Sequence, residues 1–163
     1  MSAHEPGGKV DVRPRAPGLL AVDHVAIAVR DLDAAIEGYA AAFGAQVAHR
    51  ELVASDGVEE ALLAVGESFI QLLTPTDPTS STAKFLERRG EGIHHVGYRV
   101  ASCAAALEAA VAAGLGAIDA APRPGSRGTT VAFLHPRTAF GTLIELVEEP
   151  VRASDVAGSG ERS

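Results

Sequence analysis

The sequence predicts an α+β fold: two βαβββ repeats forming one curved mixed sheet around a shared cleft. Three observations carry that expectation. Two blocks, VDHVAIAVRDLDAAIEGYAAAFGA and IHHVGYRVASCAAALEAAVAAGLGA, share one layout: a β-branched residue, a polar residue and a His, then a mostly alternating strand, a cap-like residue and an Ala-rich helix. Two later segments, SFIQLLTP at Ser68–Pro75 and TLIELVEEP at Thr142–Pro150, match as apolar strands with one polar residue in the middle. The chain has 163 residues, 47% apolar and 21% charged, which suits a single packed domain.

The elements follow in order. Residues 1–18 are rich in Pro and Gly and lack a hydrophobic period, so they are expected to be a flexible tail, as is the unpatterned stretch 150–163. The folded domain then runs over 19–149, with repeats over 19–75 and 92–149. In the first repeat the opening strand leads to a helix capped by Asp31, with Leu32, Ile36 and Phe43 on one face and Gly44 as its stop. VAHREL and VEEALLAV are the next two strands, and the Ser68–Pro75 strand closes the unit. A short helix near Ala83–Arg89 links the halves. The second helix is capped by Ser102, buries Leu107 and Val111, and stops at Gly114; GAIDA and TTVAFLH are expected strands before the closing one.

Composition excludes several classes of function. The net charge of −7 is unlike a nucleic-acid footprint, and no apolar run reaches the roughly 18 residues of a membrane span. The N-terminus lacks the apolar core of a signal peptide, and the lone Cys103 has no partner for an internal disulfide. A soluble, cytoplasmic protein is expected.

Within the repeats, each half supplies two polar residues to apolar strands, where such residues are costly unless satisfied. These are His24 with Gln71, and His95 with Glu145. If the strands curl around a cleft, all four converge. Two imidazoles, a carboxylate and an amide oxygen suit a divalent ion such as Co²⁺, Mn²⁺, Zn²⁺ or Ni²⁺, leaving two positions of an octahedral shell for water or substrate oxygens. The absence of thiolates argues against a structural zinc knot. Strand alternation sends His94 to the opposite face from His95; His4 lies in the tail, and His49 and His135 have no repeat counterpart.

The segments DHVAIAVRDLDAAIEGY, GVEEALL, IQLLTP, KFLERRGEGIHHVGYRV and GSRGTTVAFLHPRTAFGTLIEL resemble the vicinal oxygen chelate superfamily, and within it the methylmalonyl-CoA epimerases. The resemblance implies metal ligands at His24, Gln71, His95 and Glu145, a catalytic Glu60, and Glu145 as a second acid/base group. Cobalt comes first among the ions it implies, and methylmalonyl-CoA is the implied substrate. Glu59 would face away from the cleft. Asp56 stands where the family usually has Gln, at a substrate-side position.

Moving a proton between the faces of the carbon that joins a thioester to a carboxylate needs two acid/base groups and an electrophile for the developing charge. Arg123, Arg127, Lys84 and the Pro124–Gly128 turn are candidates for contacts to the phosphates or carboxylate of an acyl-CoA. Exposed strand edges suggest a homodimer. Three other readings use the same fold: a glyoxalase-type isomerase, a ring-cleaving dioxygenase using His24, His95 and Glu145 on Fe²⁺, and a metal-free small-molecule binding protein.

Overall fold

A computed structural model describes residues 18–152. The expected tails fall almost wholly outside that range. The first repeat contributes β1 (Leu19–Ala28), α1 (Leu32–Phe43), β2 (Val47–Val53), β3 (Val58–Val65) and β4 (Ser68–Pro75). The linking helix α2 is Ser81–Arg89. The second repeat contributes β5 (Gly92–Val100), α3 (Cys103–Ala112), β6 (Arg123–Pro124), β7 (Thr130–Leu134) and β8 (Ile144–Glu148).

All eight strands form one mixed sheet in the order β2-β3-β4-β1-β5-β8-β7-β6. Each half has the same internal order, and the halves meet where β1 pairs antiparallel with β5. The parallel pairs, β1 with β4 and β5 with β8, flank that seam. This is the duplicated, curled α+β sheet that the repeat predicts.

The caps follow the sequence. Asp31 Oδ1 accepts from the backbone N–H of Ala34 at 2.9 Å, and Ser102 Oγ accepts from that of Ala105 at 3.2 Å. Gly44 ends α1 in the left-handed region at φ 64°. Helix α1 covers Val29, Ala61, Leu63 and Leu72 with Leu32, Ile36 and Tyr39. Helix α3 covers Val100, Ala132, Leu134 and Leu146 with Cys103, Ala106 and Leu107. Along β4, Ile70 and Leu72 face α1, so Gln71 faces the opposite, concave side; this alternation keeps the polar residues out of the helix-covered core.

Three expectations need correction. Phe43 is 76% exposed and Val111 51%, so neither last-turn residue joins the core. The packed face of α1 ends at Tyr39, against which Phe43 rests at 5.6 Å. The GAIDA strand reduces to one bridge, Ala117 to Leu134, and the edge strand forms later at Arg123–Pro124. Pro122 and Pro124 bring no N–H to a ladder. Asp119 instead accepts the Phe133 N–H through its carboxylate, at 2.8 Å.

Candidate metal centre

His24 stands on β1, Gln71 on β4, His95 on β5 and Glu145 on β8, and all four are buried. In the β1–β5 ladder His24 lies opposite Gly97, and His95 opposite Ala26. Gln71 lies beside Ala26 on the parallel neighbour, as Glu145 lies beside Gly97. The donors are thus arranged around the seam by the pseudo-twofold relation of the repeats, and small residues leave room for the imidazoles.

Each histidine sits next to a break in strand alternation. The β1–β5 register slips between Val22 and His24, leaving Asp23 as an extra residue on β1. A second slip between Ala26 and Ile27 leaves His94 as the extra residue on β5. Such bulges re-aim side chains, and the two occupy equivalent places in the repeats. At the first, His24 Nδ1 donates to Asp23 Oδ1 at 2.8 Å. At the second, the Nδ1 atoms of His94 and His95 are 2.9 Å apart. His94 therefore does not turn to the far face, as simple alternation predicts; the bulge lays it against His95.

The Nε2 atoms of His24 and His95 and Oε2 of Glu145 form a tight triangle, with sides of 3.0, 2.9 and 3.0 Å. Adjacent ligands of an octahedral ion with bonds of about 2.1 Å stand about 3.0 Å apart, against about 3.4 Å for a tetrahedral one. The triangle fits an octahedral face. Gln71 Nε2 donates to Glu60 Oε2, which leaves Gln71 Oε1 buried without a partner. A buried oxygen with no donor nearby is what a cation would satisfy. The donor set thus fits a divalent ion, making the buried His24/His95/Glu145 cluster a candidate metal site.

Electrostatics keep these groups poised. Burial opposes a charge on His24, but hydrogen bonds to Asp23 and Glu145 carry its pKa up to about 9. Burial also opposes ionisation of Glu145, yet bonds from His24 and His95 hold it well below the usual carboxylate range. Burial lowers His95, and burial together with the adjacent His95 lowers His94 to about 4, so both stay neutral. With a cation in the cluster, His95 would turn its Nε2 lone pair to it and carry its proton on Nδ1, toward His94. Fully buried Asp23 also receives Arg99 at 3.1 Å and Arg127 at 2.9 Å. Carboxylate partners of this kind fix ring orientation and tautomer.

Glu60 lines the same cavity, of about 470 Å³, and is 4% exposed. Burial raises its pKa; the Ser126 hydroxyl opposes this without completing a bond to Oε1, and the Glu145 charge adds to the rise. Its neighbour Glu59 lies on the other side of β3, ion-paired to Arg50 at 2.8 Å. Asp56 reaches Arg123 at 3.0 Å across the cavity mouth. Arg127 holds a left-handed backbone at φ 56°, uncommon outside glycine, secured by Glu51 at its N–H and by Phe69 beneath its guanidinium.

Asp23, Arg99 and the contact between His94 and His95 join the site only through the fold. The doublets Asp23-His24 and His94-His95, at matching repeat positions, were the available signal.

A family model described as the glyoxalase/bleomycin resistance protein/dioxygenase superfamily matches residues 23–133. The chain belongs to that superfamily. Within it, the chain is 37% identical over 127 residues to an ethylmalonyl-CoA/methylmalonyl-CoA epimerase of Cereibacter sphaeroides, spanning 77% of this chain and 95% of that protein. It is similar to the crystal structure of methylmalonyl-CoA epimerase from Mycobacterium tuberculosis, with a TM-score of 0.80, 39% identity, and coverage of 83% of this chain and 92% of the other. A methylmalonyl-CoA epimerase in complex with methylmalonyl-CoA and NH₄⁺ matches with the same TM-score, at 38% identity, over 82% of this chain and 97% of the other.

Proposed function

We propose that this protein is a metal-dependent epimerase that interconverts (2R)- and (2S)-methylmalonyl-CoA by proton transfer at C2. One observation carries the reading: a tight His/His/Glu triangle and an unpartnered Glu60 oxygen line one cavity. Similarity to epimerases at this level of identity supports an isomerase. We assign His24, Gln71, His95 and Glu145 as the metal ligands, with Co²⁺ the first ion to test.

A divalent ion held there would supply electrophilic stabilisation of the negative charge that develops when the C2 proton leaves. Glu60 takes that proton. Its buried carboxylate has a raised pKa, closer to a general base working near neutral pH, and Gln71 holds one oxygen so that the other faces the cavity. Glu145 serves the opposite face of the planar intermediate. Asp23 and His94 hold the imidazoles in one orientation throughout.

Incubation with methylmalonyl-CoA in D₂O tests the reading, using protein stripped of metal and then reloaded with Co²⁺. Deuterium should enter C2 only with the reloaded protein, and ethylmalonyl-CoA run in parallel measures side-chain preference. No exchange with either thioester from metal-loaded protein would remove the epimerase assignment. We also take the chain to act as a cytoplasmic homodimer; light scattering should read twice the chain mass.

A further inference from the structure

The turn Gly125–Gly128 follows β6 at one edge of the sheet, while β2 forms the other edge. Yet the two meet. The Arg127 backbone N–H donates to Glu51 Oε2 on β2 at 3.0 Å, and that oxygen also lies 2.8 Å from His49 Nε2. Beside this join, Arg123 of β6 is 3.0 Å from Asp56, in the turn between β2 and β3. Both joins tie the second repeat to acids of the first and draw the curled sheet closed across its open side. The donor cavity lies behind them, lined by Asp56, Glu60, Ser126 and Arg127 among others. Ser126, one residue before Arg127, brings its hydroxyl toward Glu60.

The turn is built to move as a unit. At its base the Gly125 N–H donates to Thr129 O at 2.9 Å, and the Thr129 N–H to Ser126 O at 3.0 Å. A Cβ at Gly125 would lie 2.7 Å from Val131 Cγ1, so the base packs without slack. The tip is different. Arg127 sits at φ 56°, a conformation that glycine adopts freely and side chains oppose. Its side chain offsets that cost: the guanidinium bonds Asp23 Oδ1 at 2.9 Å and lies over the Phe69 ring at 5.1 Å.

This contact can release. Arg99 grips Asp23 Oδ2 at two points, through Nε at 3.2 Å and Nη2 at 3.1 Å. Arg127 reaches Asp23 through Nη2 alone, and its Nε is buried without a partner. Letting go therefore leaves the Asp23 carboxylate still paired with Arg99. We propose that Gly125–Gly128 is a strap over the donor cavity, latched by the Arg127 side chain, and that Arg127 is a positioning residue that sets the Ser126 hydroxyl against Glu60. The positioning role rests on the epimerase reading and deepens it; the latch stands on the contacts themselves.

Hydrogen exchange of the full chain, read over residues 124–131, tests the latch without turnover. Arg127→Gly keeps a backbone that glycine adopts freely, so the turn can still form. Glu51→Ala loosens the same turn from the facing strand and leaves its sequence intact. Both variants should exchange over 125–129 at least ~10-fold faster than the parent, with α3 unchanged. Arg127→Lys, which keeps the charge but not the planar fork, should recover part of the protection. In turnover, Arg127→Gly should lower kcat about 10-fold while KM and Co²⁺ affinity hold, the mark of a misplaced group rather than a missing one. Parental exchange in both variants would overturn the strap. So would faster exchange in Arg127→Gly alone, which reports only the freedom of a new glycine. Faster exchange in both with parental kcat would remove the positioning role. Faster exchange in both, in a protein that moves no C2 proton, would support the latch and defeat the epimerase reading.

Discussion

Gly97 has to be a glycine because the His24 ring occupies the space any β-carbon would take. A Cβ there would lie 2.3 Å from His24 Cε1, far inside contact distance. His24 has little freedom to yield, since Asp23 holds its Nδ1. We therefore expect Gly97→Ala to fold but to bind Co²⁺ about 10–100-fold more weakly, the range seen when metal-ligand support is disturbed; titration of metal-free protein checks this. The equivalent residue of the first repeat, Ala26, tolerates its methyl group opposite His95, so the pseudo-symmetry is imperfect where it matters most. Glu60→Gln separates binding from chemistry. A glutamine there still offers an oxygen to the Gln71 amide, so metal should be retained while epimerisation falls at least ~10²-fold. Near-parental turnover would remove Glu60 from the mechanism. At this scale the sequence exposed the four candidate donors, because Gln71 and Glu145 each interrupt an apolar strand and His24 and His95 hold the same place in the two repeats. Asp23 was hidden, because an acid beside a strand histidine has no required partner until the fold brings Arg99 and Arg127 to it.

Strand alternation explains both what was legible in the elements and what was not. VEEALLAV and SFIQLLTP form strands over the residues expected, since a short apolar run and flanking turn residues agree there. Alternation fails at the two bulges, and there the expectation for His94 failed with it. A bulge is set by pairing between β1 and β5, which neither strand encodes alone. The same face logic makes a prediction about stability. Leu72 is fully buried toward α1, next to cleft-facing Gln71. Leu72→Ala should cost about 2–5 kcal/mol, the usual range for such a core truncation, measured by urea unfolding. Metal affinity of the folded variant should change little, because the deletion lies on the helix side of the sheet. A large loss of affinity would mean that β4 does not hold the two faces independently.

For the whole molecule, the junction between repeats places a proton where a cation would sit. With no metal, His24 Nε2 lies 3.0 Å from His95 Nε2 and 2.9 Å from Glu145 Oε2, and its hydrogen bonds to Asp23 and Glu145 carry its pKa up to about 9 despite burial. Stability is linked to that proton. A histidine raised from 6.5 to about 9 on folding contributes stability fully present below pH 6.5 and lost as pH climbs through 9. Glu145 has the opposite sign: its lowered pKa gives stability present above the ordinary glutamate range and lost only in acid, so it stays ionised across the window. Metal-free protein should therefore melt at progressively lower temperature between pH 6.5 and 9. Metal needs the His24 lone pair, so loading at pH 7.5 must expel about one proton. Co²⁺ titrations in two buffers of different ionisation enthalpy should differ by that proton, and the loaded protein should lose the melting trend between pH 6.5 and 9. A binding heat independent of buffer, together with a flat melting profile for the metal-free chain, would mean that the triangle of His24, His95 and Glu145 does not exchange a proton for a cation.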